Sequence, residues 1–228
     1  MQFLRGETMV RVYVNDIPVD VDEGSTILDA VRKAGLDVPT LCKLGDLYRE
    51  ASCRLCLVEL STGRLVPACA YPASDGLRIY TNTPRVRKVR RIVLELLLAT
   101  HKMKCWYCLR KGGDCILLLL TKEYGIEGIP VCAECPLYGE DCLIRKGYPC
   151  LGPLTIAGCG APCLKKYALC IGCRGPVTRK DIIEEAIKFY LENGINLKEV
   201  MSLMKIFWSN IPTIDKIERL FMEKLTVR

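Results

Sequence analysis

Apolar residues alternate with more polar ones in the first strand-like stretch of the chain, at Val10, Val12 and Val14. The turn-forming pair Asn15-Asp16 follows, and the alternation resumes over residues 17–21. A period of two on both sides of a two-residue turn predicts a β-hairpin.

Helical spacing replaces this alternation after the hairpin, with apolar residues recurring from Ile27 onward. Thr26 and Asp29 have the spacing of a capping box, and Gly35 supplies a C-terminal stop. The pattern predicts one short helix and then a long loop over residues 36–54. Three short strands are expected next, at Cys56–Leu60, Arg64–Ala68 and Leu77–Tyr80. Together these elements predict a small α+β domain.

A longer helix is predicted to begin at Thr83-Pro84, as N-cap and first helical residue, and to run out at His101. A cysteine-rich segment begins there and continues to Cys173, with a break at about 125–131. Three amphipathic helices are predicted after it, at Asp181–Asn193, Leu197–Ser209 and Thr213–Leu225.

The middle one of these three helices carries a stripe of large apolar side chains, namely Met201, Met204, Phe207 and Trp208. Such a stripe either packs into a core or forms a subunit interface. We expect the cysteine-rich segment to offer little apolar surface for it to cover, so both interpretations stay open.

Cysteine is the unusual feature of the composition, because 15 of the 228 residues are Cys and only one is His. An odd number of cysteines cannot all pair internally. The sequence shows neither a signal peptide nor an apolar run long enough to span a membrane. We therefore expect a cytoplasmic protein with reduced thiols, whose translation starts at Met1 or Met9.

Four Cys-x-x-Cys pairs, at 53/56, 105/108, 132/135 and 170/173, point to metal binding. Together with His101, the cysteines make sixteen candidate ligands, enough for four sites of four. Iron–sulfur clusters and zinc ions both use such ligands. A zinc-rich binding or assembly module is therefore the alternative to an iron–sulfur protein.

The first candidate set is Cys42, Cys53, Cys56 and Cys69, with three thiols on one loop and the fourth on the next strand. The runs Ala51-Ser-Cys-Arg-Leu-Cys-Leu-Val-Glu59 and Leu65-Val-Pro-Ala-Cys69 resemble the β-grasp [2Fe–2S] ferredoxin domain. They are similar to its version in the large iron–sulfur subunit of respiratory complex I, in iron–iron hydrogenases and in the diaphorase of NAD-reducing hydrogenases. The resemblance implies a β-grasp fold and one [2Fe–2S] cluster on these four cysteines.

The second candidate set follows the long helix and consists of His101, Cys105, Cys108 and Cys115. In the same families a His and three Cys hold a [4Fe–4S] cluster, which the resemblance implies here. One departure is that six residues separate Cys108 from Cys115, where the family usually has five. Gly112-Gly113 would absorb the extra residue.

Eight further cysteines form the third and fourth candidate sets: Cys132, Cys135, Cys142 and Cys150, then Cys159, Cys163, Cys170 and Cys173. The run Gly147-Tyr-Pro-Cys-Leu-Gly-Pro-Leu-Thr-Ile-Ala-Gly-Cys-Gly-Ala-Pro-Cys163 and the run Cys170-Ile-Gly-Cys-Arg-Gly-Pro176 carry a second likeness. They resemble the C-terminal part of the small subunit of soluble archaeal-type nickel–iron hydrogenases. The resemblance implies two [4Fe–4S] clusters, and an interleaved grouping of the eight cysteines stays open.

We therefore predict an α+β protein of five segments. They are an N-terminal extension (1–8), a β-grasp [2Fe–2S] domain (9–83), a helix with the His–Cys segment (84–130), a two-cluster segment (131–176) and a helical tail that is a candidate subunit interface (177–228). The sequence has no dinucleotide fingerprint, no P-loop and no nucleophile triad, so we expect no catalytic residue.

The predicted function is electron transfer through one [2Fe–2S] and three [4Fe–4S] clusters within a hetero-oligomeric oxidoreductase. The expected partners are a flavin- or NAD(P)H-binding subunit and a catalytic subunit with nickel–iron or with molybdenum or tungsten, and a soluble ferredoxin is a further candidate. The leading hypothesis is an NAD-reducing nickel–iron hydrogenase, then a formate or aldehyde oxidoreductase, then a bifurcating complex. Fifteen thiolates and four cluster cores of about +2 each would cancel the formal charge of +7. No nucleic-acid partner is therefore expected.

Overall fold

The chain forms two compact units, Met1–Thr100 and His101–Arg228, in a computed structural model. The structure describes residues 8–44, 48–49, 51–112, 115–137 and 139–226. Residues 1–7 of the predicted N-terminal extension, and Gly113, lie outside the described residues. The five-segment division drawn from the sequence is finer than the two units and stays a prediction.

The first unit is a mixed sheet with two helices. Its elements are β1 (Met9–Val14), β2 (Ile17–Asp22), α1 (Ile27–Lys33), β3 (Lys43–Leu44), β4 (Tyr48–Arg49), β5 (Leu57–Leu60), β6 (Leu65–Pro67), β7 (Arg78–Tyr80) and α2 (Pro84–Thr100). Five strands form one sheet in the order β2-β1-β7-β5-β6. β1 and β7 are parallel, and the other neighbours are antiparallel.

The predicted hairpin of β1 and β2 is confirmed, with Met9 opposite Asp22 and Val14 opposite Ile17. Asn15 and Asp16 take left-handed φ angles of 49° and 68°, which a two-residue type I′ turn requires. The alternate valines of both strands are buried in one core with the apolar face of α1. Burial of one face of the sheet fixes the register of the hairpin.

The capping box predicted for α1 is also confirmed. The Thr26 backbone N–H donates to the Asp29 carboxylate at 2.9 Å, and the Asp29 backbone N–H donates to the Thr26 hydroxyl at 3.3 Å. The backbone N–H of Leu28 donates to the Ala68 carbonyl at 2.9 Å. The first turn of α1 thus holds the segment that carries Cys69.

The loop predicted over residues 36–54 contains one piece of regular structure that the sequence analysis did not anticipate. The two-residue strands β3 and β4 pair there, with Lys43 opposite Arg49 and Leu44 opposite Tyr48. Strands of two residues are too short to produce a recognisable alternation in the sequence.

The second unit consists of loops, short helices and a helical tail. Its helices are α3 (Ile116–Glu123), α4 (Pro162–Lys165), α5 (Lys180–Glu192), α6 (Leu197–Trp208) and α7 (Ile214–Thr226). Single 3-10 turns lie at Val131–Ala133, Gly139–Asp141 and Gly152–Leu154. The bounds of α5, α6 and α7 lie within one residue of those predicted. Within the described residues, no helix is long and apolar enough to cross a membrane.

The tail packs onto a larger apolar core than we expected from the sequence. Ile144, Leu151 and Leu154 of the cysteine-rich segment are at most 1% exposed, so the expectation of little apolar surface there is wrong. The apolar stripe on α6 is therefore only partly buried: Met204 and Trp208 are 0% exposed, whereas Phe207 is 47% exposed.

Candidate cluster-binding sites

The first candidate set lies on the loop and strands of the first unit. Cys53, Cys56 and Cys69 are buried, and Cys42 is partly exposed. Burial, together with the proximity of the Cys56, Cys42 and Cys53 thiols, raises the pKa of Cys69 to about 12. The structure therefore brings all four predicted ligands of this set into one neighbourhood.

The loop of this set turns its backbone N–H groups toward sulfur. Ala51 and Arg54 take left-handed φ angles of 51° and 55°, which few side chains adopt outside a constrained loop. Burial of Cys42 disfavours its thiolate, but N–H groups of Cys53 and Ser52 bond its sulfur and leave its pKa below the usual value. Hydrogen bonds to sulfur of this kind stabilise bound thiolates.

The second candidate set opens the second unit. Burial raises the pKa of Cys105 to about 12, and the nearby thiols of Cys115 and Cys108 act in the same direction. His101 is exposed, and its backbone carbonyl accepts a hydrogen bond from Arg179 at 3.4 Å. The structure thus groups the three cysteines, while the place of His101 in this set rests on its position in the sequence.

An aromatic stack supports the turn between Cys105 and Cys108. Trp106 is 3% exposed, and its ring stacks on Phe189 of α5 with 5.6 Å between centroids. Tyr107 meets the same Phe189 edge-on at 5.2 Å. The tail helix α5 therefore fixes the loop of the second set.

The third candidate set is the most enclosed of the sets in the second unit. Cys132, Cys135 and Cys150 are at most 8% exposed, and Cys142 is partly exposed. Burial raises the pKa of Cys132 well above its usual value, and the thiols of Cys150 and Cys135 add to the shift. A Cβ at Gly152 would lie 3.2 Å from the Cys132 sulfur and 3.6 Å from the Cys150 sulfur. Glycine thus leaves room beside two candidate ligands.

A buried tyrosine holds the third set from the tail. The Tyr190 hydroxyl donates to the Cys150 carbonyl at 2.8 Å, and the side chain is 0% exposed. Burial raises the pKa of Tyr190 well above its usual value, and the Cys150, Cys132, Cys170 and Cys142 thiols reinforce the shift. The hydroxyl therefore stays protonated and donates.

The fourth candidate set lines a small cavity of about 50 Å³ together with apolar residues, Thr155 and Arg174. Cys170 is buried, whereas its companions Cys159, Cys163 and Cys173 are exposed. Burial raises the pKa of Cys170, and the thiols of Cys159 and Cys173 add to the shift. All four predicted ligands of this set therefore share one cavity that opens to solvent.

Trp208 of α6 clamps the loop of the fourth set. Its indole N–H donates to the Gly172 carbonyl at 2.7 Å. Gly172 has φ of +88°, and a Cβ there would lie 2.9 Å from the indole ring. Only glycine fits a left-handed position this close to a buried ring.

Adjacent sets in the second unit touch one another. The Gly112 N–H, in the loop of the second set, donates to the Ala133 carbonyl at 3.0 Å. The Leu151 N–H, next to Cys150, donates to the Cys170 carbonyl at 2.8 Å. The order in space is therefore second, third and fourth set, as in the sequence.

Two buried charges lie at these junctions. Lys111 is 6% exposed, and its ammonium favours the thiolate forms of Cys105, Cys132 and Cys135. Glu134 accepts hydrogen bonds from the N–H groups of Gly158 and Gly160 at 3.0 and 2.9 Å. These N–H groups flank Cys159, so a side chain inside the third Cys-x-x-Cys pair positions a candidate ligand of the fourth set.

The donor groups fit iron–sulfur clusters chemically. The first and third sets offer mostly buried thiols, and the fourth set offers one buried and three exposed thiols. A bound cation would deprotonate the thiols that burial now keeps neutral. Within the described residues, no three His, Cys, Asp or Glu side chains converge closely enough to hold one metal ion. One tetrahedral zinc would draw its sulfurs to about 3.8 Å from one another. In a [4Fe–4S] cluster each ligand binds a different iron, whereas in a [2Fe–2S] cluster two thiolates bind each iron.

Sequence reasoning found the thiols but missed the residues that position them. Tyr190 and Trp208 have the helical spacing of ordinary core residues, so no local signal marks them as partners of the loops. Glu134 stands inside a Cys-x-x-Cys pair, and an acidic residue between two thiols was the available clue.

Two family models match the chain. Residues 7–84 match the 2Fe-2S iron-sulfur cluster binding domain, and residues 90–130 match the NADH-ubiquinone oxidoreductase-G iron-sulfur binding region. The chain therefore carries a [2Fe–2S] ferredoxin-type domain followed by a [4Fe–4S] binding region of the complex I type, as the sequence analysis predicted. The likeness of residues 147–176 to nickel–iron hydrogenase small subunits stays a prediction.

Particular relatives agree with this class. The NADH-ubiquinone oxidoreductase 75 kDa subunit of Reclinomonas americana is 42% identical over 52% of this chain and 17% of its own length. The NADP-reducing hydrogenase subunit HndD of Solidesulfovibrio fructosivorans is 41% identical over 54% of this chain and 22% of its own length. The mitochondrial NADH dehydrogenase [ubiquinone] iron-sulfur protein 1 of Solanum tuberosum is 39% identical over 53% of this chain and 16% of its own length. The chain thus spans less than a quarter of these relatives.

A solved structure of NAD+-reducing [NiFe]-hydrogenase in the H2-reduced state is also similar. It is 33% identical, with a TM-score of 0.47, and the match covers 51% of this chain and 49% of that chain.

Proposed function

We propose that this chain is an electron-transfer subunit that relays single electrons through one [2Fe–2S] and three [4Fe–4S] clusters. The ligands are the four candidate sets, with His101 as the one non-thiol ligand. Bound clusters of these types would supply reversible one-electron chemistry. The first unit would adopt the β-grasp arrangement, which its mixed sheet and packed helix α1 support.

One observation carries the proposal: three thiol sets follow one another in contact within the second unit. The loop of the second set joins the third set through the hydrogen bond from the Gly112 N–H to the Ala133 carbonyl at 3.0 Å. The third set joins the fourth through the hydrogen bond from the Leu151 N–H, beside Cys150, to the Cys170 carbonyl at 2.8 Å. A relay needs neighbouring clusters to lie close together, because the rate of electron tunnelling falls steeply with distance.

The protein's own groups would tune this relay. The buried Lys111 lies beside thiols of both the second and third sets, and a nearby cation favours the more negative, reduced state of a cluster. The three N–H donors of Cys53, Gly152 and Gly172 bond the sulfurs of Cys42, Cys150 and Cys170 in their respective sets. The dipoles of these N–H groups also favour the more negative, reduced state of each cluster.

The partners follow from the relatives and remain part of the proposal. We assign the chain to a cytoplasmic hetero-oligomeric oxidoreductase, between a flavin- or NAD(P)H-binding subunit and a catalytic metallo-subunit. An NAD-reducing nickel–iron hydrogenase is the first choice. A molybdenum or tungsten formate or aldehyde oxidoreductase and a bifurcating complex come next.

Anaerobic purification of the native complex followed by elemental analysis tests this function. We expect about 14 iron atoms per copy of this chain beyond those of its partners, with matching acid-labile sulfide. Nickel would identify a hydrogenase, and molybdenum or tungsten would identify a formate or aldehyde enzyme. Absence of all three would leave a flavin-linked dehydrogenase or bifurcating complex.

Zinc in place of iron would overturn the proposal and establish the zinc-rich module instead. The two outcomes are also distinguished by colour, because a zinc protein is colourless, whereas iron–sulfur clusters are brown and bleach when reduced.

A further inference from the structure

The fourth candidate set differs from the third in its exposure to solvent. In the third set Cys132, Cys135 and Cys150 are at most 8% exposed. In the fourth set three of the four cysteines are exposed. In the second set, at the other end of the series, one of the three thiols, Cys108, is exposed, as is His101. Since a carrier from solution must approach a cluster closely to exchange an electron with it, the fourth set is the more accessible end of the three-set series.

The surface around the fourth set is basic. Lys165 and Lys166 follow the candidate ligand Cys163, Arg174 follows Cys173, and all three cations are exposed. None of them forms an ion pair with a residue that the structure describes. Residues 142–180 contain seven Lys and Arg and no Asp or Glu, and three of the seven form ion pairs with acidic residues just outside this range. The cavity of the set is also lined without an acidic side chain.

Exposed apolar side chains lie among these cations. Tyr167 is 61% exposed and Ile171 is 37% exposed. Tyr167 also takes a left-handed φ of 56°, which is unusual for an aromatic residue, and Lys146 lies 5.7 Å from its ring centroid. Apolar contacts within a charged rim are typical of docking surfaces, and small surfaces of this kind serve transient electron-transfer encounters.

We propose that the basic face formed by Lys165, Lys166, Tyr167, Ile171 and Arg174 docks a small acidic one-electron carrier protein. This inference rests on the proposed function and adds the partner protein and the surface at which it docks. The encounter transfers one electron between the fourth set and the carrier, so one is oxidised as the other is reduced, and no bond or proton is exchanged. Opposite charges attract the carrier over a Debye length and orient it.

The test compares two variants with the same total charge. Lys165→Glu/Lys166→Glu reverses two cations of the basic face. Arg32→Glu/Lys33→Glu reverses two exposed cations on α1 of the first unit and serves as the control. Binding of an acidic bacterial 2[4Fe–4S] ferredoxin to the iron-loaded native complex is measured by calorimetry at several salt concentrations. Cytochrome c, a basic carrier, is the second probe.

We expect Lys165→Glu/Lys166→Glu to weaken ferredoxin binding at low salt by about tenfold or more and to flatten its salt dependence. The control should change the affinity by less than about twofold. Iron content and redox titrations followed by paramagnetic resonance are measured for each variant to check that its clusters are retained.

Three results would overturn the docking proposal. The first is an equal loss of ferredoxin affinity in the two variants. The second is tighter binding of cytochrome c than of ferredoxin. The third is no ferredoxin binding because a permanent subunit covers the face. If iron is present and one of these occurs, docking alone is wrong. If iron is absent, the proposed function itself fails.

Discussion

The two units surround their thiols in different ways. In the first unit Cys56 and Cys69 belong to an apolar core formed by β1, β2, β5 to β7 and α1. In the second unit the described part of the cysteine-rich segment has two helices, α3 and α4, and three 3-10 turns. The first unit therefore has a fold that positions its site. In the second unit the tail helices hold the loops through single contacts such as those of Tyr190 and Trp208. We predict that bound clusters would supply a larger share of the folding free energy there than in the first unit.

Removal of iron is expected to produce the largest difference between the two units. We predict that the iron-free chain keeps amide protection in β1, β2, β5, β6 and β7 to within about tenfold of the loaded chain. Amide protection in residues 128–176 should fall by more than about a hundredfold. Hydrogen exchange with mass spectrometry resolves both regions in one experiment. Equal loss in both units, or in neither, would show that the two do not differ in this way.

Substitution of Glu134 tests how the loops of the second unit are held in place. Its side chain is 2% exposed, and besides the N–H groups of Gly158 and Gly160 it pairs with Lys122 at 2.6 Å. Burial disfavours its charge, but Lys122 and the two N–H groups keep its pKa below the usual value. Glu134→Ala leaves both N–H groups without an acceptor, so we expect a loss of about 2–3 kcal/mol in unfolding free energy.

The same variant should lose iron from the fourth set first, as followed by paramagnetic resonance. Glu134→Gln keeps an oxygen acceptor and should retain more iron than Glu134→Ala. Glu95→Ala, which removes an exposed ion pair with Arg91 in α2, is the matched control and should cost at most about 0.5 kcal/mol. Identical iron content in all three variants would exclude Glu134 as a positioning residue.

Tyr190→Phe should produce a smaller effect. It removes the donor to the Cys150 carbonyl and leaves the ring in place, and we expect a loss of about 1–2 kcal/mol, measured by urea unfolding of the loaded chain. Tyr80→Phe removes a longer 3.5 Å bond to Asp16 in the first unit and should change stability by at most about 0.5 kcal/mol. Similar losses in both variants would mean that the tail does not support the third set through this bond.

The sequence predicted the first unit more completely than the second for a physical reason. Hairpin, capping box and strands leave local signals of period and turn chemistry. The helix α3 was missed because Ile116–Leu120 is apolar without a helical period, and its N-cap Cys115 makes no side-chain cap bond.

The thiols themselves were evident from spacing, but their supports were not. Trp208 meets Gly172 across 36 residues of sequence, and Tyr190 meets Cys150 across 40. Contacts at such separations leave no periodic trace in the sequence. The expectation that α6 would find little apolar surface was wrong because Leu151 and Leu154, which stand among prolines, glycines and cysteines, are fully buried.

Mössbauer spectroscopy of the iron-57-labelled chain, compared with its Cys56→Ser variant, tests the central claim most directly. If four independent sets hold one [2Fe–2S] and three [4Fe–4S] clusters, about one iron in seven belongs to the [2Fe–2S] signal. Cys56→Ser should then remove or perturb that signal alone, and the [4Fe–4S] signals of the second unit should keep their intensity. Loss of every signal in the variant, or a spectrum without a [2Fe–2S] component in the parent chain, would contradict the account.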